Sequence, residues 1–305
     1  MIIVTPVRAV DPGGDRAPTS TSLTWTWTAP WLGRTWALSD VSSSVLKLRG
    51  ATGLGQVDPL HMWSDSPAVD GSVWSGVRHG PGLLDMAVFI SGATSEEFLA
   101  AHDSFMETLD PARECLLRVT RPDGSWREAR CRYESGADAP IVLDPVMAGR
   151  VVYSLSWVRA DPYWSSTPVV ELFSYETALP LFPGPPFGIG SGRSLTSATT
   201  TNPGDVAVPA RWRANGPFTS LDLGVGTSRI MLPIAKPLGG WVVADLDPSL
   251  MTVTDETGAN LFPQTTQVDE TPIPPGEVDL VTTVAGASAG TSVELTFTPK
   301  HRRAY

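Results

Sequence analysis

Leu23-Thr24-Trp25-Thr26-Trp27-Thr28 alternates apolar with polar side chains, the period of a strand with one buried face. Val45–Leu48 and Leu83–Ile90 are further strand candidates, set apart by turns such as Asp70-Gly71 and Gly80-Pro81-Gly82. One segment breaks the rhythm. Thr94-Ser95-Glu96-Glu97 is a capping box, with Thr94 as N-cap and Glu97 three residues on. Phe98, Leu99, Phe105, Met106 and Leu109 then recur at helical spacing, with His102 in the same stripe, until Asp110-Pro111. The spacing predicts one helix over 95–109, laying this stripe on a sheet.

A hairpin comes next. Cys115–Arg121 and Ser125–Cys131 flank Pro122-Asp123-Gly124, a three-residue loop in which Gly supplies the left-handed position. That register sets Cys115 opposite Cys131. Val151–Arg159 alternates again and stops at Asp161-Pro162-Tyr163-Trp164. Residues 178–204 gather Pro180, Pro183, Pro185, Pro186 and Pro203 among Gly, Ser and Thr, the composition of a linker or long arm. The expected domains are therefore 1–165 and 166–305, with a strand over Pro168–Tyr175 in the second. Beyond the arm the strand candidates are Val206–Trp212, Ser228–Leu232, Trp241–Asp245, Leu250–Thr254, Val278–Val284 and Ser292–Thr298. None has a helical period, and short strands at near-regular spacing predict a β-sandwich.

Composition agrees with many short strands and tight turns. Gly and Pro number 28 each in 305 residues. The charged share, 18%, is below the usual quarter, as expected where partners cover part of the surface. The net charge of −10 is spread along the chain, with no basic patch to read as a phosphate footprint. Sequence-specific nucleic acid and anionic membrane are thus poor partners. No signal peptide and no run of about 20 apolar residues is present, so maturation in the cytoplasm of the producing cell is expected. Cys115 and Cys131 are too few for a disulfide framework and lack metal-ligand spacing. Two buried thiols are expected of them rather than a disulfide.

Catalytic and cofactor motifs fail on context. Gly286-Ala287-Ser288-Ala289-Gly290 matches the nucleophile-elbow pattern, but no helix follows, and the only later His is His301. A small-residue hairpin loop is the better reading. Gly188–Gly192 has the wrong spacing for a dinucleotide loop and no βαβ unit around it. His102 reads as a packed or interface His. Asp245 and Asp247 read as a solvated turn rather than a Ca²⁺ site, which needs several oxygen ligands. Of the eleven Trp, Trp212 and Trp241 are the candidates for stacking on sugars, against a commoner role in sandwich cores. No catalytic, cofactor-binding or metal-binding residue is expected.

The order of these features resembles the phage tail-protein family typified by the distal tail proteins of long, non-contractile (siphovirus-type) tails. Asp70-Gly71-Ser72, the strand Leu83–Ile90, the turn Gly92–Ser95, the single helix, the Pro122–Gly124 hairpin and Ala160–Trp164 stand in sequence. Asn202–Asp205 leading to Val208–Trp212, then Val253–Gly258 and Ile273–Glu277, continue the match. The Trp-rich opening (Trp25, Trp27, Trp31, Trp36) departs from the family pattern. The resemblance implies a mainly β protein: an N-terminal β-sandwich or split barrel with one packed α-helix, then a C-terminal galectin-like β-sandwich. It implies a non-enzymatic virion protein, a homohexameric ring between tail tube and tail tip or baseplate. Its expected partners are its own copies, the tail tube protein, the tail tip hub and tape measure proteins, and tail fibres. The alternative reading is a carbohydrate-binding or host-receptor-binding tail protein.

Overall fold

The computed structural model describes residues 22–48, 50–65, 70–138, 143–175, 193–194 and 198–305. In its first half, strands β1 (Thr24–Ala29), β2 (Arg34–Ala37) and β3 (Val45–Lys47) precede β4 (Pro59–Asp65), β5 (Ser72–His79) and β6 (Gly82–Ser91). Helix α1 (Ser95–Met106), β7 (Cys115–Thr120), β8 (Trp126–Ser135), the one-turn helix α2 (Pro145–Ala148), β9 (Arg150–Arg159) and β10 (Trp164–Ser165) follow. One sheet runs β2-β1-β7-β8-β9-β6-β3, all described pairs antiparallel. Lys47 N donates to Leu38 O at 2.9 Å, which brings the two ends of the sheet together into a nearly closed barrel.

The expected alternation drives this closure. Trp25 and Trp27 of β1 point inward, and the Trp27 ring meets that of Trp157 at 4.9 Å. The Trp27 indole N–H donates to Thr108 Oγ1 at 3.3 Å, so its one polar atom is satisfied inside the core. The β7–β8 register is the one read from the turn: Cys115 opposes Cys131, and Gly124 takes φ 84. Thr94 caps α1 by accepting from Glu97 N, and Glu97 reaches back to Ala93 N. The helix is shorter than the 95–109 expected. It ends at Met106, where Thr108 N turns back to Phe105 O and Leu109 N to Met106 O in tighter three-residue steps ahead of Pro111. Phe98 and Phe105 are buried, with His102 between them on the same row, while Leu99 lies one residue round the helix and is exposed. A second helix, α2, was not expected; the Asp144 carboxylate caps it by accepting from Val146 N and Met147 N.

The second half is a two-sheet sandwich. Its strands are β11 (Val169–Ser174), β12 (Arg193–Ser194), β13 (Thr199–Asn202), β14 (Arg211–Asn215), β15 (Ser220–Val225) and β16 (Ser228–Leu232). Then come β17 (Trp241–Asp245), β18 (Thr252–Asp255), β19 (Gln267–Val268), β20 (Gly276–Ala285), β21 (Ser292–Phe297) and β22 (Lys300–His301). The sheets β12-β11-β21-β14-β17-β18 and β13-β20-β15-β16-β19 share one buried cluster that includes Phe173, Trp212, Leu223, Ile230 and Leu295. The arm expected over 178–204 falls largely outside the described residues. Two of its pieces are strand rather than arm: β12 lies parallel to β11, and β13 pairs with β20. The β13 strand is held because buried Asn202 donates to Val206 O and Ile273 O and accepts from Gly204 N, three bonds that a coil would leave to water.

The last residues leave the sandwich. Strand β22 pairs with β10 in the first sheet, Lys300 Nζ meets Asp161 at 2.8 Å, and Ala304 is buried in the first core with its N–H on Leu54 O.

Trp157→Ala removes the central ring of the first core and is expected to cost about 3–5 kcal/mol. Thr94→Ala removes a helix cap and is expected to cost about 1 kcal/mol. Denaturant titration of both variants against the parent chain checks the ranking.

Candidate assembly interface

The residues singled out for chemistry are scattered. Ser288 sits in the β20–β21 loop, its N–H on Thr291 Oγ1 and its carbonyl accepting from Thr291 N. His301 is instead in β22, 3.1 Å from Ser166 Oγ. Gly188–Gly192 lies outside the described residues. His102 is packed: its ring lies 3.0 Å from Tyr153 OH and stacks beside Phe98. Asp247 closes a turn by accepting from Ser249 N and Oγ, and Asp245 faces Arg211 at 3.7 Å. Among the described residues no group of three or more His, Cys, Asp or Glu could hold a metal ion. Trp212 is buried in the second core with its indole N–H on Thr271, which removes it as a sugar platform. Trp241 keeps partial exposure under the Arg213 guanidinium, 4.7 Å from its ring. Cys115 and Cys131 are free and buried, and burial pushes both thiols up to about 12.

What stands out was not anticipated. Among the described residues, strands β4 and β5 pair only with each other and form a two-stranded ribbon outside both cores. At about 3.3 Å per residue, strands of this length reach on the order of 25 Å. Leu60, Met62, Trp63, Val73, Trp74 and Val77 are between 44% and 65% exposed. Such a ribbon is marginal alone in water, and this one carries apolar side chains on both faces. A bulge between Met62 and Trp63 sets the register: Leu60 opposes Arg78, Met62 opposes Gly76, Trp63 opposes Trp74, and Ser64 opposes Val73. One face is therefore aliphatic, with Leu60, Met62, Val73 and Arg78. The other is aromatic, with His61, Trp63, Trp74 and Val77. The Trp74 indole N–H donates to His61 Nδ1 at 3.2 Å, and the His61 and Trp63 rings lie 6.1 Å apart.

The ribbon is clamped at its root. His79 forms hydrogen bonds with Tyr163 OH (3.2 Å) and Gln56 Nε2 (3.4 Å), and Tyr163 N donates to Asp161. Beside the root is an open groove of about 450 Å³, lined by Gly53, Val57, Leu60, Gly80, Gly82 and Leu83 among others. Gly53 has φ 78, and a Cβ there would lie 1.8 Å from Leu83 O, so only glycine lets the two segments approach. Below them, buried Arg159 donates to Gly53 O at 3.1 Å and stacks over Trp164. The groove thus joins Leu60 of the aliphatic ribbon face to Leu83 on the outer face of the first sheet. Along that sheet face the pair Leu83 and Val158 is followed by Asp85 with Ser156, Ala87 with Ser154, and Phe89 with Val152. The arrangement holds and presents apolar surface.

No family model and no curated protein matches the sequence. Solved structures do share its fold. The Dit protein (gp 19.1) of phage SPP1, described as a paradigm of the hub adsorption apparatus in phages infecting Gram-positive hosts, aligns with a TM-score of 0.62 at 14% identity. That alignment covers 92% of this chain and 99% of the other. A chain of the phage P2 baseplate, in its activated conformation with Ca, aligns with a TM-score of 0.50 at 11% identity, covering 92% and 98%. The chain is thus mainly β with a Dit-like fold along nearly its whole length.

Because both thiols are buried and held protonated, alkylating reagent at pH 8 is expected to leave Cys115 and Cys131 unmodified in the folded chain and to label both after unfolding. Mass spectrometry of intact protein reads the difference; rapid native labelling would contradict the buried pair.

Proposed function

We propose that the chain is a structural virion protein, a distal tail adaptor that forms a homohexameric ring between the tail tube and the tail tip or baseplate. The observation that carries the reading is the clamped, two-faced apolar ribbon in a chain whose fold runs the length of SPP1 Dit. A free-standing monomer has no use for that much exposed apolar surface, and a ring of copies does. In this reading residues 1–165 build the ring through head-to-tail contacts that close by rotation. Residues 166–305 form a galectin-like sandwich that holds fibres or receptor-binding parts, with Lys300–Ala304 returning to tie it to the ring. The neighbours in the tail are the tube protein, the tip hub and the tape measure protein. DNA passes the lumen without sequence-specific contact, and no step is enzymatic. The carbohydrate-binding alternative is weakened by the burial of Trp212 and by the Arg213 group lying over Trp241.

The mass of the purified chain in solution, with negative-stain images of the same sample, tests the reading. Six copies of a 32.5 kDa chain give a ring of about 195 kDa. A monomer that also fails to form rings when purified tail tubes are added would contradict it.

A further inference from the structure

The tail Pro299–Ala304 is gripped by both halves of the chain at once. From the second half, Asp205 N donates to Lys300 O at 3.0 Å, and the Asp205 carboxylate accepts from Arg302 N at 2.8 Å. A Cβ on Gly204 would lie 2.6 Å from Lys300 O, so glycine is what lets that loop come so close. From the first half, Trp164 pairs with His301, Arg127 Nη1 donates to Arg303 O at 2.6 Å, and Leu54 O accepts from Ala304 N. Ser166 N, in the turn between the halves, donates to Pro299 O. Beside the tail the halves stand apart across an open cleft of about 520 Å³, with Trp126 and Glu128 on one wall and Arg211, Asp247 and Phe297 on the other. Two halves that meet across a wet cleft move relative to each other unless something fastens them. Here the fastening is the tail.

His301 sits at its centre, 7% exposed, with a ring nitrogen 3.1 Å from Ser166 Oγ. Its surroundings are rich in cations. Lys300 and Arg302 flank it in the chain. Arg127 of β8 and Arg121, where β7 turns into β8, both bear on the ring, and Arg303 adds to the field at Arg127. The nearby carboxylates are engaged: Asp161 by Lys300 at 2.8 Å, Glu128 by Arg118 at 2.9 Å, and Asp205 by the Arg302 N–H. Burial first, then Arg127 and Arg121, hold the His301 pKa below the ordinary 6.5, and Asp205 opposes them in part. The folded chain therefore prefers the neutral ring.

We infer that Pro299–Ala304 is an acid-released clasp: a proton taken up by His301 loosens the strand that fastens the second half to the first. The proton puts a further positive charge into a buried site already crowded with cations, and the tail relieves it by leaving. The sign follows from the lowered value. Above about 6.5 the ring is neutral in the bound and the released tail alike, and the clasp has its full strength. As pH falls below that value the released tail takes up the proton first, and the clasp weakens until the buried ring is protonated as well. Once the tail is out, the chain at Ser165–Pro168 still joins the halves, beside the open cleft. The device acts within one copy and does not depend on the ring reading.

The test follows the Arg302 and Ala304 amides of the full-length chain by hydrogen exchange at about pH 7.5 and about pH 5, corrected for the intrinsic pH dependence of exchange. In the parent their corrected exchange is expected to rise several-fold at the lower pH, while the amides of β14 and β21 in the second core keep their protection. His301→Gln keeps a hydrogen-bonding side chain toward Ser166 but takes up no proton, and is expected to exchange alike at both values. A parent whose tail amides do not respond to pH overturns the clasp. A His301→Gln chain that responds as the parent does overturns it too, since another group would then be titrating. Titration of the His301 ring in the parent by NMR serves where the variant loses the tail at both values. A midpoint below 6.5 is expected, and one at or above 6.5 overturns the inference.

Discussion

A β-ribbon two strands wide has no interior. Every side chain on it faces either water or something else, and the ribbon formed by Pro59–Asp65 and Ser72–His79 puts apolar groups on both sides. Fully burying side chains of the size of Leu, Met and Val is worth roughly 1.5–3 kcal/mol each. The free energy that would stabilise this segment is therefore absent in the lone chain and becomes available only on contact. Its base, by contrast, is held firmly by the first half of the chain. The sheet supplies β6 directly after the ribbon, the His79–Tyr163 and Gln56 bonds fix its root, and Gly53 lets the preceding segment press against Leu83.

The scaffold behind the ribbon is more conventional. Trp27 and Trp157 fill the first core and Trp212 the second, each core closed by strands with one buried face. Strand β22 crosses from the second core to the first, and the Ala304 N–H bonds Leu54 O, two residues before Gln56 of the root clamp. Residues at the far end of the sequence therefore brace the base of the ribbon. On the proposed reading this links the outward sandwich mechanically to the ring-forming part.

The legible parts of the sequence were those where one physical signal acted alone. Alternation in Leu23–Thr28 and Val151–Arg159 marked strands buried on one face, and the Thr94/Glu97 pair and the Pro122–Gly124 turn fixed local geometry that the structure keeps. The class of fold followed from these. The helix end was misjudged because Leu109 continues the apolar stripe after the backbone has tightened into three-residue turns. The ribbon escaped notice for a more instructive reason: Leu60, Met62 and Trp63 fall on both parities, so the period-two signal cancels. Attention went to Trp212 and Trp241 in the second half, whereas the exposed pair is Trp63 and Trp74. A β-rich stretch without alternation, flanking an Asp-Gly turn, was the available clue.

Amide hydrogen exchange along β4 and β5, compared between dilute and assembled protein, measures the central claim directly. The account predicts that amides of residues 59–65 and 72–79 exchange freely in the dilute chain and become strongly protected on assembly, while the two cores are protected in both. Assembly that leaves the ribbon amides exchanging at their dilute rate would contradict it.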